Sequence, residues 1–548
     1  MAQAEYKPLL YTTTMRNPER LKFMLYILAK FKGQILNDAL AIEIVGETIR
    51  YGLYRPMKQS SIIKEKWKST PNGVFSEFIL TDEEVKYMLE HNPQQHKEAG
   101  FAKGFPSRFA TIYDLTKELG LAYFTPSKPI VISELGEHLL KAIEVNVSNE
   151  EIFYEFVNPE YEQQVFLQAM AKSQRKNPFV RVLNDNIPLI LLLQTIRLLN
   201  SDKEQNGAGI SRKELPLLIF WKDNDAHALY KRIAKLRKDY GYTPSDEIVI
   251  DICIDEIMGG NYKKFDPKSI MIDYPDEFIR KMRITGLISL RGAGRFIDIN
   301  KNELDKVDYV IKQYANYTHF TSETAYFNHI ATLDKNLIQI KSKTINATNA
   351  EKLLCNWLKQ YAWEAIKKEL AILSSGGTSK DSVLKLIAAP SRLEFLTALA
   401  IKSKIPNVRV LPNYSCDDEG LPTSTAGGNK GDIECYEQQN GILVEVTMAT
   451  GRQQTMMEVW PIERHLTDFQ KERKAQCVFV APTIFSDSLR QIQFVSFQSN
   501  GEKEIRPYAI NDFVEFLENS PKLYLNSYKC SSINHSLAAE PSVKYGNN

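Results

Sequence analysis

The sequence predicts a multidomain chain of α and α/β parts: a helical N-terminal portion, then a mixed sheet flanked by helices. Three observations carry this. Helical periodicity dominates residues 1–310. Within them the order helix, hairpin, helix occurs twice, over residues 109–136 and 278–301. Further on, Gly431-Asp432-Ile433-Glu434-Cys435-Tyr436 and Gly441-Ile442-Leu443-Val444-Glu445-Val446-Thr447 read as two short strands around a turn. At 548 residues the chain is too long for one core, and about two to four domains are expected. The boundaries are placed at 1–148, 149–312 and 313–548.

Composition excludes several classes. A hydrophobic share of 43% with 25% charged residues is that of an ordinary globular protein. The longest strongly apolar run, 187–193, is far too short to cross a bilayer, and the N-terminus lacks the apolar stretch of a signal peptide. The six cysteines (Cys253, Cys355, Cys416, Cys435, Cys477, Cys530) form no CxxC pair. Neither zinc nor a disulfide framework is expected, and a cytoplasmic location fits. Net charge is only +2, so any nucleic-acid footprint must be local.

Taken in order, residues 21–31 and 37–50 have the spacing of amphipathic helices. A helix over 109–119 ends near Gly120. Leu121-Ala122-Tyr123-Phe124 and Ile130-Val131-Ile132 flank a Pro-containing turn, and Ser133 opens another helix. Residues 210–215 look like a helix start in a helix-turn-helix, and 230–238 is a strongly basic helix. A helix over 278–285 precedes strands at 286–290 and 296–299, with Arg291 and Arg295 on the turn between them and a helix from Lys301. This order is that of winged-helix and helix-turn-helix modules, which put a helix in the major groove and a wing on the backbone. Double-stranded DNA is therefore the expected partner. Arg16, Arg20, Lys103, Arg108, Arg232, Arg291 and Arg295 are the residues expected to contact it.

A long helix is expected over 351–372, broken at Ser374-Ser375-Gly376-Gly377, and another from Pro390 through 393–402. After the acid-bearing strands, Pro461 fits the first turn of a helix reaching about Arg473. Cys477-Val478-Phe479-Val480-Ala481 reads as a buried strand, and 511–517 as a late helix. Helix, hairpin with acids, helix, buried strand, helix is the order of the PD-(D/E)xK nuclease core.

The acids are the chemistry-bearing feature. A carboxylate inside a run of Ile, Leu and Val is costly unless it binds something. If Glu437 pairs with Ile442, Asp432 lies opposite Thr447 and Glu445 is its diagonal neighbour on one face. An Asn440-Gly441 turn, the usual hairpin signal, keeps the same face. Two carboxylates aimed at one point suit Mg²⁺, with Mn²⁺ as a substitute. Glu394, Glu458 and His465 belong to the same argument, although each has a plain alternative. Ser391-Arg392-Leu393-Glu394 reads as a capping box, Glu458 as an acid at a helix start, and His465 as a surface residue.

Together these residues resemble the AlwI-type family of type IIS restriction endonucleases, which includes site-specific nicking endonucleases. The matching pieces are Arg392-Leu393-Glu394-Phe395-Leu396-Thr397, Ala426-Gly427-Gly428-Asn429-Lys430-Gly431-Asp432-Ile433-Glu434, Val444-Glu445-Val446-Thr447, and Met457-Glu458 through Pro461 to Arg464-His465. Val480-Ala481-Pro482 and the segment Thr13-Thr14-Met15-Arg16-Asn17-Pro18-Glu19-Arg20 also resemble it. The resemblance implies N-terminal recognition modules and a C-terminal nuclease that cuts a few nucleotides outside an asymmetric site. It places Glu394, Asp432, Glu445, Glu458 and His465 in the active site. Asp432 and Glu445 would hold the metal, and Glu458, with Glu394, would complete the shell or hold a second ion. The Glu-x-Lys of the wider nuclease fold is Glu445-Val446-Thr447 here, so the lysine is missing, as it is in the AlwI-type family. A second subunit or a transient homodimer is the partner expected for double-strand cleavage. Two alternatives stand beside this reading: a structure-specific or repair nuclease of the same fold, and a non-catalytic winged-helix regulator. The acid cluster counts against the regulator, and the number of recognition modules counts against the repair enzyme.

Overall fold

The computed structural model describes residues 4–8, 18–68, 70, 73–98, 100–148, 151–262, 266–428 and 430–525. Arg16 and Cys530 lie outside them. In the N-terminal part, α1 (Leu21–Ala29) is buried on nearly every side and forms a central post. Helix α2 (Asp38–Arg50) starts where the Asn37 side chain accepts from the Leu40 amide at 2.9 Å. The first helix–hairpin–helix follows as expected: α3 (Phe105–Glu118), β1 (Ala122–Tyr123) paired with β2 (Val131–Ile132), and α4 (Glu134–Leu140). Ser133 caps α4 by accepting from Gly136 N at 2.9 Å.

Strands β3 (Glu144–Ser148) and β4 (Glu151–Glu155) form an antiparallel hairpin that periodicity did not reveal. The boundary expected at 148 runs between these paired strands, so it divides one element. The second module contains β5 (Ile210–Ser211), the basic helix α5 (Ala226–Tyr240), α6 (Asp273–Arg283), β6 (Ile288–Arg291) and β7 (Phe296–Ile299). The three strands form a small sheet in the order β5-β7-β6. Ser211 and Glu214 make reciprocal side chain–backbone hydrogen bonds of 3.2 and 2.8 Å, the capping box of the expected helix start. Helix α7 (Leu304–Tyr314) carries the boundary expected at 312 within its last turn.

The single helix expected over 351–372 is two helices, α8 (Ala347–Leu358) and α9 (Trp363–Ser374). Tertiary packing sets the break. Trp357 donates to Glu419 O at 2.7 Å, stacks on Tyr361 and meets the edge of Phe395. Helix α10 (Ala389–Lys404) begins with Pro390 in its first turn and is buried from Ser391 to Ile401.

The C-terminal part is built on a five-stranded mixed sheet. Its strands are β8 (Arg409–Pro412), β9 (Ile433–Glu437), β10 (Asn440–Val446), then β11 (Ala475–Ala481) and β12 (Ile505–Ala509). Their order is β12-β11-β10-β9-β8, parallel from β10 to β12 and antiparallel from β8 to β10. All of β11 is buried, as a strand between two parallel neighbours must be. Ile442, Val444, Val478 and Val480 join the core that contains α10. Leu443, Cys477 and Phe479 face the other way, toward α12 and α13 as defined next. Between β10 and β11 run α11 (Gly451–Met457) and α12 (Val459–Gln470), and α13 (Ser486–Gln498) and α14 (Ile510–Asn519) flank β12 in the chain. Among the described residues no helix is long and apolar enough to cross a membrane. The described cysteines are all free thiols, three of them buried.

Candidate active site

The hairpin β9–β10 has a different register from that expected. Glu437 pairs with Asn440 and Ile433 with Val444, so the turn is Gln438-Gln439. Gln438 supplies the left-handed conformation with φ 57°. Gly441 lies in the strand, where a Cβ would stand 2.6 Å from the Phe469 ring of α12. One more step along the ladder places Asp432 opposite Glu445. The two acids are cross-strand partners on the α12 face, where a diagonal was expected.

Asp432 Oδ2 accepts from Val446 N at 2.8 Å, which ties the carboxylate to the end of the neighbouring strand. Glu445 is buried and its Oε1 meets His465 Nδ1 of α12 at 2.9 Å. His465 Nε2 lies 3.2 Å from Gly428 O. Glu394 comes from α10 on the opposite face of the sheet. Its carboxylate accepts from Ala426 N at 3.2 Å, and it is only 3% exposed. It lies inside the helix and caps nothing. Glu458 stands at the junction of α11 and α12, where its Oε1 accepts from Thr447 Oγ1 at 2.8 Å. Thr447 thus anchors a carboxylate.

The electrostatics follow from crowding acids into a low-dielectric pocket. Burial pushes Glu394 up to about 8, with the Glu445 charge adding to it. Burial, then Glu394 and Glu445, raise Asp432 well above the carboxylate range. Glu445 is raised by burial, with His465 acting against the rise. Burial takes Glu458 to about 7. For His465 burial acts downward, but the hydrogen bond and charge of Glu445 outweigh it and the net shift is upward. His465 bonds Glu445, and its charge also reaches Glu458. By charge and donor type the set fits a hard divalent cation. Among the described residues, however, no three such side chains are drawn to ligand spacing around one point. The oxygens are turned to their protein partners.

Two features of the site were not legible beforehand. Gly431 is required where it stands, since a Cβ would lie 2.8 Å from Glu445 Oε1 and 2.3 Å from Leu443 Cδ1. The run of glycines before Asp432 was its only trace. The second feature is long-range: β4 docks on α11. Tyr154 N donates to Gln453 Oε1 at 3.1 Å, Arg452 pairs with Glu151 at 2.5 Å, and Arg452 N donates to Glu77 at 3.0 Å. The N-terminal part therefore leans directly on the segment that follows the acid-bearing strand.

The basic residues expected on DNA divide into groups. Lys103 and Arg295 are exposed, Arg295 on the β6–β7 turn. Arg20 lines a cavity between the two parts of the chain. Arg108 donates to Tyr54 and His96 and lies over the Tyr54 ring. Arg232 makes a fork with Glu256 at 2.6 and 2.8 Å. Arg291 makes four hydrogen bonds, to Asp298, Asp418, Glu419 and Ile299 O, and clamps the hairpin to the 415–424 segment. Charge is visible in a sequence, but the acid that consumes it is not.

The site is thus a set of buried acids on a mixed sheet, joined to a helical part. The profile of the AlwI restriction endonuclease matches residues 117–388 and 374–516. The chain belongs to the AlwI restriction endonuclease family, and so is a DNA nuclease. Similar solved structures include the small subunit of the heterodimeric restriction endonuclease R.BspD6I. It is 23% identical, over 27% of this chain and 74% of that one, with a TM-score of 0.24. Restriction endonuclease FokI is 12% identical, over 95% and 96% of the two chains, with a TM-score of 0.23. FokI bound to DNA is 11% identical, over 95% and 97%, with a TM-score of 0.21. No curated protein matches the chain.

Proposed function

We propose that the chain is a metal-dependent type IIS endonuclease. Residues 1–312 bind a short asymmetric duplex site, and the part from 313 onward hydrolyses phosphodiester bonds a few nucleotides away. The observation that supports this best is the electrostatic coupling of three acids, in which, beyond the effect of burial, the Glu445 charge raises Glu394 and both raise Asp432, with Glu458 and His465 bonded alongside. The sheet and its acids correspond to a PD-(D/E)xK core without the lysine. The two helix–hairpin–helix modules act as winged helices, with α5 and the Arg295 turn toward the duplex.

Asp432, Glu445 and Glu458 would hold Mg²⁺ or Mn²⁺, with Glu394 completing the acid set. A bound cation there supplies a lowered pKa for water and charge neutralisation on the scissile phosphate. The chain's own groups do the rest. The Val446 amide holds Asp432 at the strand end, and Thr447 holds Glu458. His465 orients Glu445 and is placed to orient a water or contact a phosphate oxygen. Such a site must provide much of the roughly 8–23 kcal/mol by which enzymes lower barriers.

One chain carries one such site, so one strand is cut per engagement. A second cut needs a second subunit, a transient homodimer or a reorientation. The test is supercoiled plasmid with Mg²⁺ at limiting enzyme, followed by sequencing of the ends. Nicked circles should precede linear DNA, with ends at a constant offset from one sequence. Cutting without sequence preference would leave only a general nuclease. Linear product with no nicked intermediate would rule out sequential cutting.

A further inference from the structure

A phosphodiester carries its own negative charge toward Glu394, Asp432, Glu445 and Glu458, and these acids repel it unless cations stand beside them. Thr447, two residues after Glu445, is neutral and bonded to Glu458, so no cation comes from that strand end. His465 is already bonded to Glu445 and faces Gly428 O with its other ring nitrogen. The charge that meets the phosphate must come from elsewhere in the chain.

The turn before β9 supplies one candidate. Lys430 N donates to Gly427 O at 3.2 Å and closes the turn. On one side of it Gly428 O lies 3.2 Å from His465 Nε2. On the other, Gly431 is pressed so close that a Cβ would stand 2.8 Å from Glu445 Oε1, and its carbonyl accepts from Asn413 Nδ2 at 2.7 Å. The backbone of Lys430 is therefore pinned between His465 and Glu445, one residue from the acid pair. Its side chain is exposed and pairs with no other described residue. A Cβ on Gly427 would meet nothing within 4 Å, so the outer side of the turn is open to an approaching strand.

Helix α12 supplies the second. Arg464 precedes His465, is exposed, and makes no hydrogen bond or ion pair among the described residues. Its charge reaches His465 and, across the gap between the two parts of the chain, Glu155 of β4. Two exposed, unpaired cations from different elements thus flank the contact between the turn and His465.

We propose that Lys430 and Arg464 are the phosphate contacts of the acid site, Lys430 on the scissile phosphate and Arg464 on a neighbouring one. The proposal rests on the nuclease reading of that site. Lys430 adjoins the residue that touches Glu445, so its ammonium is within one side-chain length of the acid pair, and a compact point charge suits an oxygen whose charge grows in the transition state. Arg464 stands further along α12, where a planar fork suits a backbone phosphate that does not react.

The experiment uses the full chain as wild type, Lys430→Met, Lys430→Arg and Arg464→Met. Binding of a short duplex is first followed through a salt series in EDTA. Each methionine variant should lower the slope of log affinity against log salt by about 0.9, the share of one phosphate contact. Single-turnover cleavage with Mg²⁺ at saturating enzyme is then compared. Lys430→Met should be slower by about 10²–10³-fold, as when one charge-stabilising donor is lost, and Lys430→Arg should regain part of the rate. Arg464→Met should cut at the wild-type rate once saturated and lose rate only below saturation. Melting temperatures should not change, because neither side chain has a partner to lose. Lys430→Met cutting within about threefold of wild type overturns its assignment, and so does a lower melting temperature accompanying the slower rate. A wild-type salt slope in Arg464→Met overturns the assignment of Arg464. A wild type that does not cut with Mg²⁺ is a failure of the nuclease reading, and the salt slopes then decide for both residues.

Discussion

Replacing Glu394 by Gln tests the acid cluster without relying on activity. The amide keeps the shape of the side chain and an oxygen for the Ala426 N–H, but cannot ionise. In the wild type the folded-state pKa rises from 4.5 to about 8, chiefly through burial. A raised carboxyl pKa means that the folded chain binds more protons than the unfolded one between those two values. Stability contributed by this group is therefore present in full below pH 4.5 and is lost as pH rises through 8. Between pH 6 and 8.5 that loss amounts to about 2–3 kcal/mol. In a domain the size of the nuclease part this corresponds to a fall of about 5–10 °C in melting temperature. Glu394→Gln should lack this fall and should melt higher than wild type at pH 8.5 in EDTA, while losing cleavage. The assay is calorimetry at both pH values with and without Mg²⁺. A variant that melts lower than wild type at pH 8.5 in EDTA would show that Glu394 is a structural partner, and the reasoning would fail.

Asp432→Ala or Glu445→Ala should abolish cleavage yet leave duplex binding nearly intact; cleavage within about tenfold of wild type, under 1.4 kcal/mol of barrier, would remove the metal-site assignment. Calorimetric titration of Mg²⁺ in buffers of different ionisation enthalpy should reveal proton release near pH 7, because Glu394 and Glu458 must ionise to accept a cation. No buffer dependence would mean that these acids are already ionised. Arg291→Met should destabilise the fold by about 3–5 kcal/mol, since it leaves Asp298 and Asp418 unpaired in a largely buried clamp, and should leave the duplex affinity of the folded protein unchanged. Arg295→Ala should do the reverse, weakening duplex binding and flattening its salt dependence with no change in melting temperature. If the two arginines exchange these behaviours, Arg291 is not a structural clamp.

Much of the nuclease part was legible because its signals are local. An acid in an apolar run, the buried apolar stretch 477–481 and a proline at a helix start each reflect a physical cost that the sequence must meet on the spot. Parity alone put Asp432 and Glu445 on one face, since a side chain changes faces with every residue and any even shift preserves the set. The register itself was not legible: Gly441 lies in the strand against Phe469 of α12, and Gln438-Gln439 make the turn. Long-range contacts decided the rest. Trp357 against Glu419 O and Phe395 ends α8 inside a periodic stretch that reads as one helix. Hairpin β3–β4 sits across an expected boundary because its partner, Gln453, lies some three hundred residues away. Arg291 faces three acids, two of them more than a hundred residues distant, so its charge was visible and its use was not. The sequence by itself determined which groups bear chemistry and which strands and helices carry them. Only the folded chain decided which of those groups meet, because burial and pairing belong to neighbours that the order of residues does not name.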